Sequence, residues 1–480
     1  MNQFSPQFQS IHDLMQAQRS PQSAVTACFS ETACFSESNR LYTWQDFQQH
    51  VSQLTTILSQ APQQKWAVCT QDSYWFAVAF MAVCHAQKHL ILPGNLQPGA
   101  LLDLAEHFDA LLHDDVIDIH VFPKTIMQTS IALPLIETSS EQLITFETLS
   151  NTPITLFTSG SSGAPKAIHK TLALLNNEVE QLERTWGHEL TNSIIASTVS
   201  HQHIYGLLFR VLWPLASGRA FFRHDWQYPE QIAQHASCNT VLISSPALLK
   251  RLVENNSNAN YRAIFSSGGP LAFDSARTCF TLFNQWPREV LGSTETGGIA
   301  YRQQITSTEP WLAFDTIKIK LNAENCLRIL SPLVDPEIWY QTADQCELLN
   351  DKQFILKGRA DRVIKIEEKR ISLTEIERRL NQLIEINEAA VIPYQTEQRL
   401  IIAAAITLTA NGQAKLEQLG KGKFWLYLRK ALHQWIEPVG IPRRFKIVEN
   451  IPLNTQGKRL ISDIEALFED NLENKNSELR

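Results

Sequence analysis

ITLFTSGSSGAPKAIHKT, residues Ile154 to Thr171, decides how the chain is read, because apolar residues give way there to glycine, serine and a single lysine. Ile154, Leu156 and Phe157 read as a short buried strand, and Lys166 to Lys170 as its return, so the loop is the tip of a hairpin rather than the entrance to a helix. Gly160 and Gly163 can take positive φ and let backbone N–H groups converge. Thr158, Ser159, Ser161, Ser162 and Lys166 add hydroxyls and one cation, and Pro165 stiffens the tip. These are the parts of a phosphate cradle, although Gly/Ser runs also build plain surface loops. The Walker pattern is excluded, since it needs GxxxxGK followed by Ser or Thr and a helix directly behind the lysine.

A chain of 480 residues exceeds one ordinary core and implies several lobes. The formal charge of −7, from 49 acidic and 42 basic residues, gives no reason to expect a nucleic-acid partner. The 8 cysteines lie singly, with no CxxC pair, which points to neither a zinc site nor a disulfide framework and fits a reducing cytoplasm. The first residues lack a basic segment followed by an apolar one, so no secretory signal is expected. The longest apolar run, Trp75 to Cys84, is short of the ~20 residues needed to span a bilayer.

Along the chain, TACFSE at Thr26 to Glu31 recurs unchanged at Thr32 to Glu37, a local duplication with no long-period repeat behind it. Thr43 caps a helix whose buried stripe is Leu54, Ile57 and Leu58. Lys65 to Leu92 then has the rhythm of a βαβ unit. Leu172, Leu175, Val179, Leu182 and Trp186 follow helical spacing behind the phosphate loop, with Thr171 as N-cap. After Glu309 the pattern turns β-rich, and at KGRADRVIK, Lys357 to Lys365, charge density rises at a junction. Ser372 and Glu375 form a capping box on a helix that buries Ile376, Leu380 and Leu383. A later helix buries Trp425, Leu428, Leu432 and Trp435. The expected fold is α/β: a large N-terminal domain, 1–357, of α/β lobes with a small β-barrel-like part, and a mobile α+β C-terminal domain, 358–480.

With these stretches in order, nearly the whole chain resembles the acyl-adenylate-forming superfamily of acyl-CoA synthetases, peptide-synthetase adenylation domains and beetle luciferases. TSGSSGAPK is similar to its phosphate loop. SSGGPL, with Ser267, Gly268 and Gly269, looks like its adenine-side loop, beside which Leu291 would lie. GSTETGG, from Gly292 and Ser293 to Gly298, looks like the motif whose glutamate, Glu295, binds magnesium. YQTAD ends at Asp344, which the resemblance places on the ribose hydroxyls. GRADRVIK matches the hinge motif, with Arg359 on the nucleotide and Asp361 as pivot. PLNTQGK matches the loop that delivers a catalytic lysine, Lys458. The resemblance implies ATP and Mg²⁺, a carboxylic acid substrate, and coenzyme A or an acyl carrier protein as thiol acceptor.

The chemistry suits these residue types. A carboxylate attacking the α-phosphate of ATP brings two anions together, so cations and fixed donors are needed. Thr294 would donate to the α-phosphate and Lys458 would bridge carboxylate and nucleotide. His203, in HQHIYGLLF, falls where acyl- and aryl-CoA ligases of the family often carry a histidine beside the substrate carboxylate, although a structural histidine is the alternative. Peptide-synthetase domains tend to carry an aspartate in this region, and no acidic residue occurs from Ser193 to Phe222, which favours an uncharged acyl or aryl tail. Three positions depart from the family pattern: Leu291 replaces a stacking aromatic residue, Ala343 a glycine and Glu368 another glycine. KIEEKRIS also resembles stand-alone ligases of bacterial aryl-polyene or fatty-acid-like clusters.

The leading reading is an ATP-dependent acid–thiol ligase. Amino-acid adenylation, and a non-catalytic nucleotide- or acyl-adenylate-binding relative, are the alternatives. Glu368 beside the thiol path would disfavour anionic coenzyme A. Arg378, Arg379, Lys421, Lys423, Arg429, Lys430, Arg443 and Arg444 offer a basic face to an acidic carrier protein. Replacing Lys458 by alanine is expected to lower ATP–pyrophosphate exchange by roughly 10²- to 10³-fold while the fold survives, since it removes one contact made to developing charge. Exchange within threefold of the unsubstituted protein would sink the lysine assignment.

Overall fold

The computed structural model describes residues 5, 7–28, 40–135, 143–159, 165–253, 260–359, 363–396, 399–452 and 461–469. The chain forms two compact units. The first comprises Met1–Leu96, Leu104–Thr158 and Ala167–Ala360, and the second Gln97–Asp103, Ser159–Lys166 and Asp361–Arg480.

The first unit holds two sheets. The smaller is built from β1 (Lys65–Cys69), β2 (His89–Leu92), β3 (Ala110–His113), β4 (Pro153–Ser159) and β5 (Pro165–Thr171), with the short strand Ile131–Ala132 at its edge beside β3. β3, β1, β2 and β4 pair in parallel in that order. Between β1 and β2 runs α1 (Ser73–His85), buried along almost its whole length, which is why its sequence is apolar all round. The helix Trp44–Gln60 before β1 opens on a capping box between Thr43 and Asp46. Leu54 and Leu58 of this helix are fully buried, but Ile57 is 39% exposed and lies off the core stripe.

β4 and β5 are neighbours, as a hairpin requires. β5 runs into α2 (Leu172–Trp186), where Thr171 Oγ1 accepts from the Leu174 N–H at 3.4 Å and Leu172, Leu175, Val179, Leu182 and Trp186 are buried.

The larger sheet carries β6 (Ile194–Ser197), β7 (Thr240–Ser244), β8 (Ala263–Ser267) and β9 (Arg288–Ser293), four parallel neighbours. β7 and β8 are buried at every residue, so they read as unbroken apolar runs rather than alternating ones. At β9 the sheet turns antiparallel through β10 (Gly297–Gln303) and β11 (Trp311–Ala313). The chain then forms β12 (Lys318–Leu321), β13 (Cys326–Ser331), β14 (Asp335–Leu348) and β15 (Gln353–Arg359), of which β15 pairs with β11 and is followed across the sheet by β14, β13 and β12 at the edge. The β-rich stretch after Glu309 is therefore an extension of the same sheet.

In the second unit a hairpin of β16 (Val363–Ile366) and β17 (Lys369–Ser372) precedes α3 (Leu373–Asn381). Ser372 Oγ accepts from the Glu375 N–H at 3.2 Å, the forward half of the expected capping box. Ile376 and Leu380 are fully buried, whereas Leu383 lies past the helix end and packs only partly against the core. A sheet of β18 (Ile386–Gln395), β19 (Leu400–Leu408) and β20 (Arg444–Ile447) packs with α4 (Lys421–Leu432). Leu428 and Leu432 of α4 are fully buried, and Trp435 follows its end.

Among the described residues six cysteines are free and Cys28 is disulfide-bonded, a bond the sequence reading did not expect. The sequence pattern missed it because the spacing of the duplicated TACFSE matches no framework motif. The second copy of that repeat lies outside the described residues.

The buried charges of the first unit are compensated. On α2, Glu183 is fully buried. Burial pushes its carboxyl up, but Arg219, with donors from Ser5 and Trp213, brings it below the usual range. Arg219 Nη1 lies 3.0 Å from Glu183 Oε2, and Trp213 Nε1 donates to the same oxygen at 2.7 Å. Replacing Arg219 by methionine strands this carboxylate and is expected to cost about 3 kcal/mol, read as a lowered thermal midpoint. An unchanged midpoint would show the pair to be dispensable.

Candidate active site

Ligands of open parallel sheets sit outside the carboxyl ends of the strands, where loops diverge. Here the ends of β6, β8 and β9 release the three stretches singled out in the first unit: the segment to His203, the loop Ser267–Leu271, and the turn Gly292–Gly298. Parallel register sets the strands level, Ser197 with Ile243, Ser244 with Ser266, and Ser267 with Val290.

The β8 loop is pinned at both ends. Ser267 Oγ donates to the Val290 carbonyl at 2.8 Å, the Leu271 N–H donates to Glu289 at 3.2 Å, and Gln304 Nε2 donates to the Leu271 carbonyl at 2.8 Å. Between them Gly268 takes φ +92°, a conformation a side chain would strain. Gly269 is half-buried beside it.

The β9–β10 turn is tighter still. The register shifts between Leu291 and Gly292, and a Cβ on Gly292 would lie 2.4 Å from the Gly297 carbonyl oxygen. The Ser293 N–H donates to Thr296 Oγ1 at 3.0 Å, and that hydroxyl donates to the Gly297 carbonyl at 2.9 Å. Thr294 (7% exposed) and the half-buried Glu295 stand at the tip, with Leu291 as apolar cover at its base.

On the antiparallel side, Asp344 of β14 lies directly opposite Arg359 of β15. Asp344 is 8% exposed, and its N–H donates to Thr342 Oγ1 at 3.1 Å. For Arg359 and Ser159 only the backbone is described. Thr158 is half-buried at the end of β4 and Lys166 is exposed on β5. Gly160, Ser161, Ser162, Gly163, Asp361 and Lys458 lie outside the described residues.

His203 has a neighbour that sequence reasoning passed over. His201 is 2% exposed; its Nε2–H donates to the Thr70 carbonyl at 2.8 Å, and its Nδ1 accepts from Ser73 Oγ at 3.0 Å. A carbonyl can only accept, so these contacts fix the neutral tautomer. Burial, then Arg210 and His203, hold its pKa well below the usual value. His201 is therefore the structural histidine of the pair, and His203 stands half-buried at the start of the next helix. Two histidines flanking one glutamine were the available signal.

After His203 the helix widens into a π segment, Leu207–Leu212. Its Arg210, 1% exposed, donates to the Val199 carbonyl at 3.1 Å and the Arg223 carbonyl at 2.9 Å, and pairs with Asp225. Among the described residues no three His, Cys, Asp or Glu side chains converge on one point. That donor set suits a hard cation shared between a single carboxylate and phosphate oxygens, not a metal held by protein alone.

Loops at parallel strand ends, with a hydrogen-bonded Thr–Glu turn among them, are where open α/β sheets bind their ligands. Residues 126–329, which carry these loops, match the family of AMP-binding enzymes. A 4-coumarate–CoA ligase of Halorhodospira halophila is 24% identical over 312 residues, 64% of this chain and 74% of that one. A D-alanine–D-alanyl carrier protein ligase of Staphylococcus aureus is 31% identical over 120 residues, 25% of this chain and 23% of that one. The amide bond synthetase McbA of Marinactinospora thermotolerans shares the fold with a TM-score of 0.77 at 15% identity, covering 96% of this chain and 100% of that one.

The His201 shift has a pH consequence. The folded pKa lies below the unfolded one, so the stabilisation is present above about pH 6.5 and is lost as acid protonates the unfolded chain first. The thermal midpoint is expected to fall by about 1–2 °C between pH 7 and pH 5.5, and by less in His201→Asn. Equal falls in both proteins would remove His201 as the cause.

Proposed function

We infer that this protein is an AMP-forming ligase. It joins a carboxylic acid to the α-phosphate of ATP, releases pyrophosphate, and passes the acyl group to a thiol. The observation that carries the reading is the tight turn holding Thr294 and Glu295 beside the loops of neighbouring parallel strands, in a segment that matches the AMP-binding enzymes.

In the first half-reaction a carboxylate oxygen bonds to the α-phosphorus and the bond to pyrophosphate breaks. Thr158 to Gly163 and Lys166 take the β- and γ-phosphates. Thr294 donates to the α-phosphate, and Asp344 accepts from the ribose hydroxyls with Arg359 across the ladder. Lys458 bridges the two anions, and His203 faces the carboxylate end of the acid. Glu295 is the residue to hold Mg²⁺, which when bound draws charge from the phosphate oxygens. In the second half-reaction the thiol sulfur bonds to the acyl carbon and AMP leaves. Asp361 is the pivot between the two arrangements. Glu367, not Glu368, carries the left-handed backbone of the β16–β17 hairpin, at φ +59°, so Glu368 needs no glycine-like conformation. The chemistry belongs in the cytoplasm, where ATP and reduced thiols are plentiful. Among the described residues no helix is long and apolar enough to cross a membrane.

For the acceptor we favour an acidic carrier protein. α4 bears Lys421, Lys423, Arg429 and Lys430 and no acidic residue, with Leu426 63% exposed among them. Trp425 stacks on Phe445 at 5.3 Å, which sets this helix beside Arg443 and Arg444. Burial and the neighbouring Arg399 and Arg429 hold the Arg443 guanidinium below its usual range, a concentration of positive charge that an acidic surface would relieve. Arg379 leaves this set, being 5% exposed and paired with Asp103.

The test is pyrophosphate release across a panel of carboxylic acids, followed by thioester formation with coenzyme A and a holo carrier protein at equal concentration. Release with at least one acid is expected. Arg429→Glu with Arg443→Glu is expected to slow transfer to the carrier by about tenfold or more without slowing release. ATP binding without release for any acid would favour a non-catalytic relative. A preference for coenzyme A that survives the double substitution would overturn the carrier reading.

A further inference from the structure

Helix α2 buries two carboxylates that serve different places. Glu183 is held by Arg219 and Trp213, away from the turn at Gly292–Gly298. Glu178, 2% exposed, accepts a hydrogen bond from Lys170 Nζ at 3.1 Å, and Lys170, 4% exposed, also donates to the Leu333 carbonyl at 3.4 Å. The carboxylate lies against Gly297: a Cβ on that glycine, which has φ +66°, would sit 2.6 Å from Glu178 Oε2. One turn further along the helix, Gln181 Nε2 donates to the Gly298 carbonyl at 3.2 Å, and Gln181 Oε1 accepts from Thr316 Oγ1 at 2.5 Å.

α2 thus grips the two residues that close the turn bearing Thr294 and Glu295. The cation of the grip comes from β5, the strand that returns from the phosphate loop. Its second acceptor, Leu333, lies between the strands β13 and β14. A buried ion pair with few other hydrogen bonds is a poor source of stability, because desolvation offsets the Coulombic gain, so stability alone does not account for it. Fixing geometry does. The carboxylate fits only against a glycine, and the lysine fits only where two segments of the first unit meet it.

We propose that Lys170 and Glu178 are positioning residues that hold the Ser293–Gly297 turn in one conformation before ATP arrives, so that Thr294 and Glu295 need no rearrangement to meet it. The consequence for catalysis rests on the functional reading above; the ordering of the turn does not.

The experiment compares Lys170→Met/Glu178→Gln, which removes both charges and strands neither, with Arg219→Met/Glu183→Gln on the same helix. Hydrogen exchange of a peptide spanning residues 291–300 is read in nucleotide-free protein, with the thermal midpoint, the kcat and acid KM of pyrophosphate exchange, and the Mg²⁺ concentration giving half-maximal rate. In the Lys170/Glu178 variant, exchange at 291–300 is expected to rise about tenfold. Its kcat is expected to fall about 10- to 100-fold and its Mg²⁺ requirement to rise, with acid KM unchanged. The Glu183 variant is expected to lose thermal stability and keep the turn protected. Should the first variant fail to fold, Glu178→Asp, which keeps the pair but withdraws the carboxylate from Gly297, is read in the same way with a rise of about threefold. Unchanged exchange at 291–300 in a folded variant, or an equal rise in both double variants, overturns the proposal. Absence of pyrophosphate exchange in the unsubstituted protein would overturn the functional reading and leave the protection of the turn to decide this one.

Discussion

The close approach of Gly292 to Gly297 is the constraint on which the rest of the site depends. With no Cβ on either residue, β9 and β10 can pinch together immediately after a register shift, and the polypeptide has room only for a tight turn stitched by the Ser293 and Thr296 hydroxyls. That pinch converts the parallel half of the sheet into its antiparallel half. A larger residue at Gly292 would have to push the two strands apart, and one at Gly297 would collide with the Glu178 carboxylate.

Charge inside this unit follows the same logic. Glu183, Glu289 and Glu178 are each nearly inaccessible; the first two are each met by an arginine together with backbone and neutral side-chain donors, and Glu178 is met by Lys170. Glu289 does so while anchoring the Ser267–Leu271 loop through Leu271. The polar groups that would be costly to bury alone are spent fixing loops at the strand ends.

Much of this was legible before the structure. Periodicity located α2 and its buried face residue by residue, because a helix against a sheet needs one apolar stripe and Leu172 to Trp186 supply it. The neighbouring strands β4 and β5 were legible because the apolar run stops abruptly at Thr158. Periodicity failed at element ends, where Leu383 and Trp435 continue the spacing beyond the last helical residue, and at Ile57, where spacing cannot say how wide the covered stripe is. Glu178 was hidden for another reason. A glutamate between Leu175 and Val179 faces the core, but only the fold reveals that a lysine and a bare glycine wait there. The pairing of Asp344 with Arg359 and the tautomer of His201 are likewise products of register and burial, which a linear sequence does not display.

The π segment after His203 changes how this chain should be aligned with others. A helix that widens at Leu207–Leu212 carries one residue more than a regular helix of the same span, so every side chain beyond it is rotated by about a quarter turn relative to a regular counterpart. Arg210 makes that widening self-supporting by satisfying carbonyls of two other segments. Position-by-position transfer of substrate-contacting residues from a relative with an unwidened helix would therefore be out of frame from this point onward, and a substrate inferred that way would be read from the wrong face.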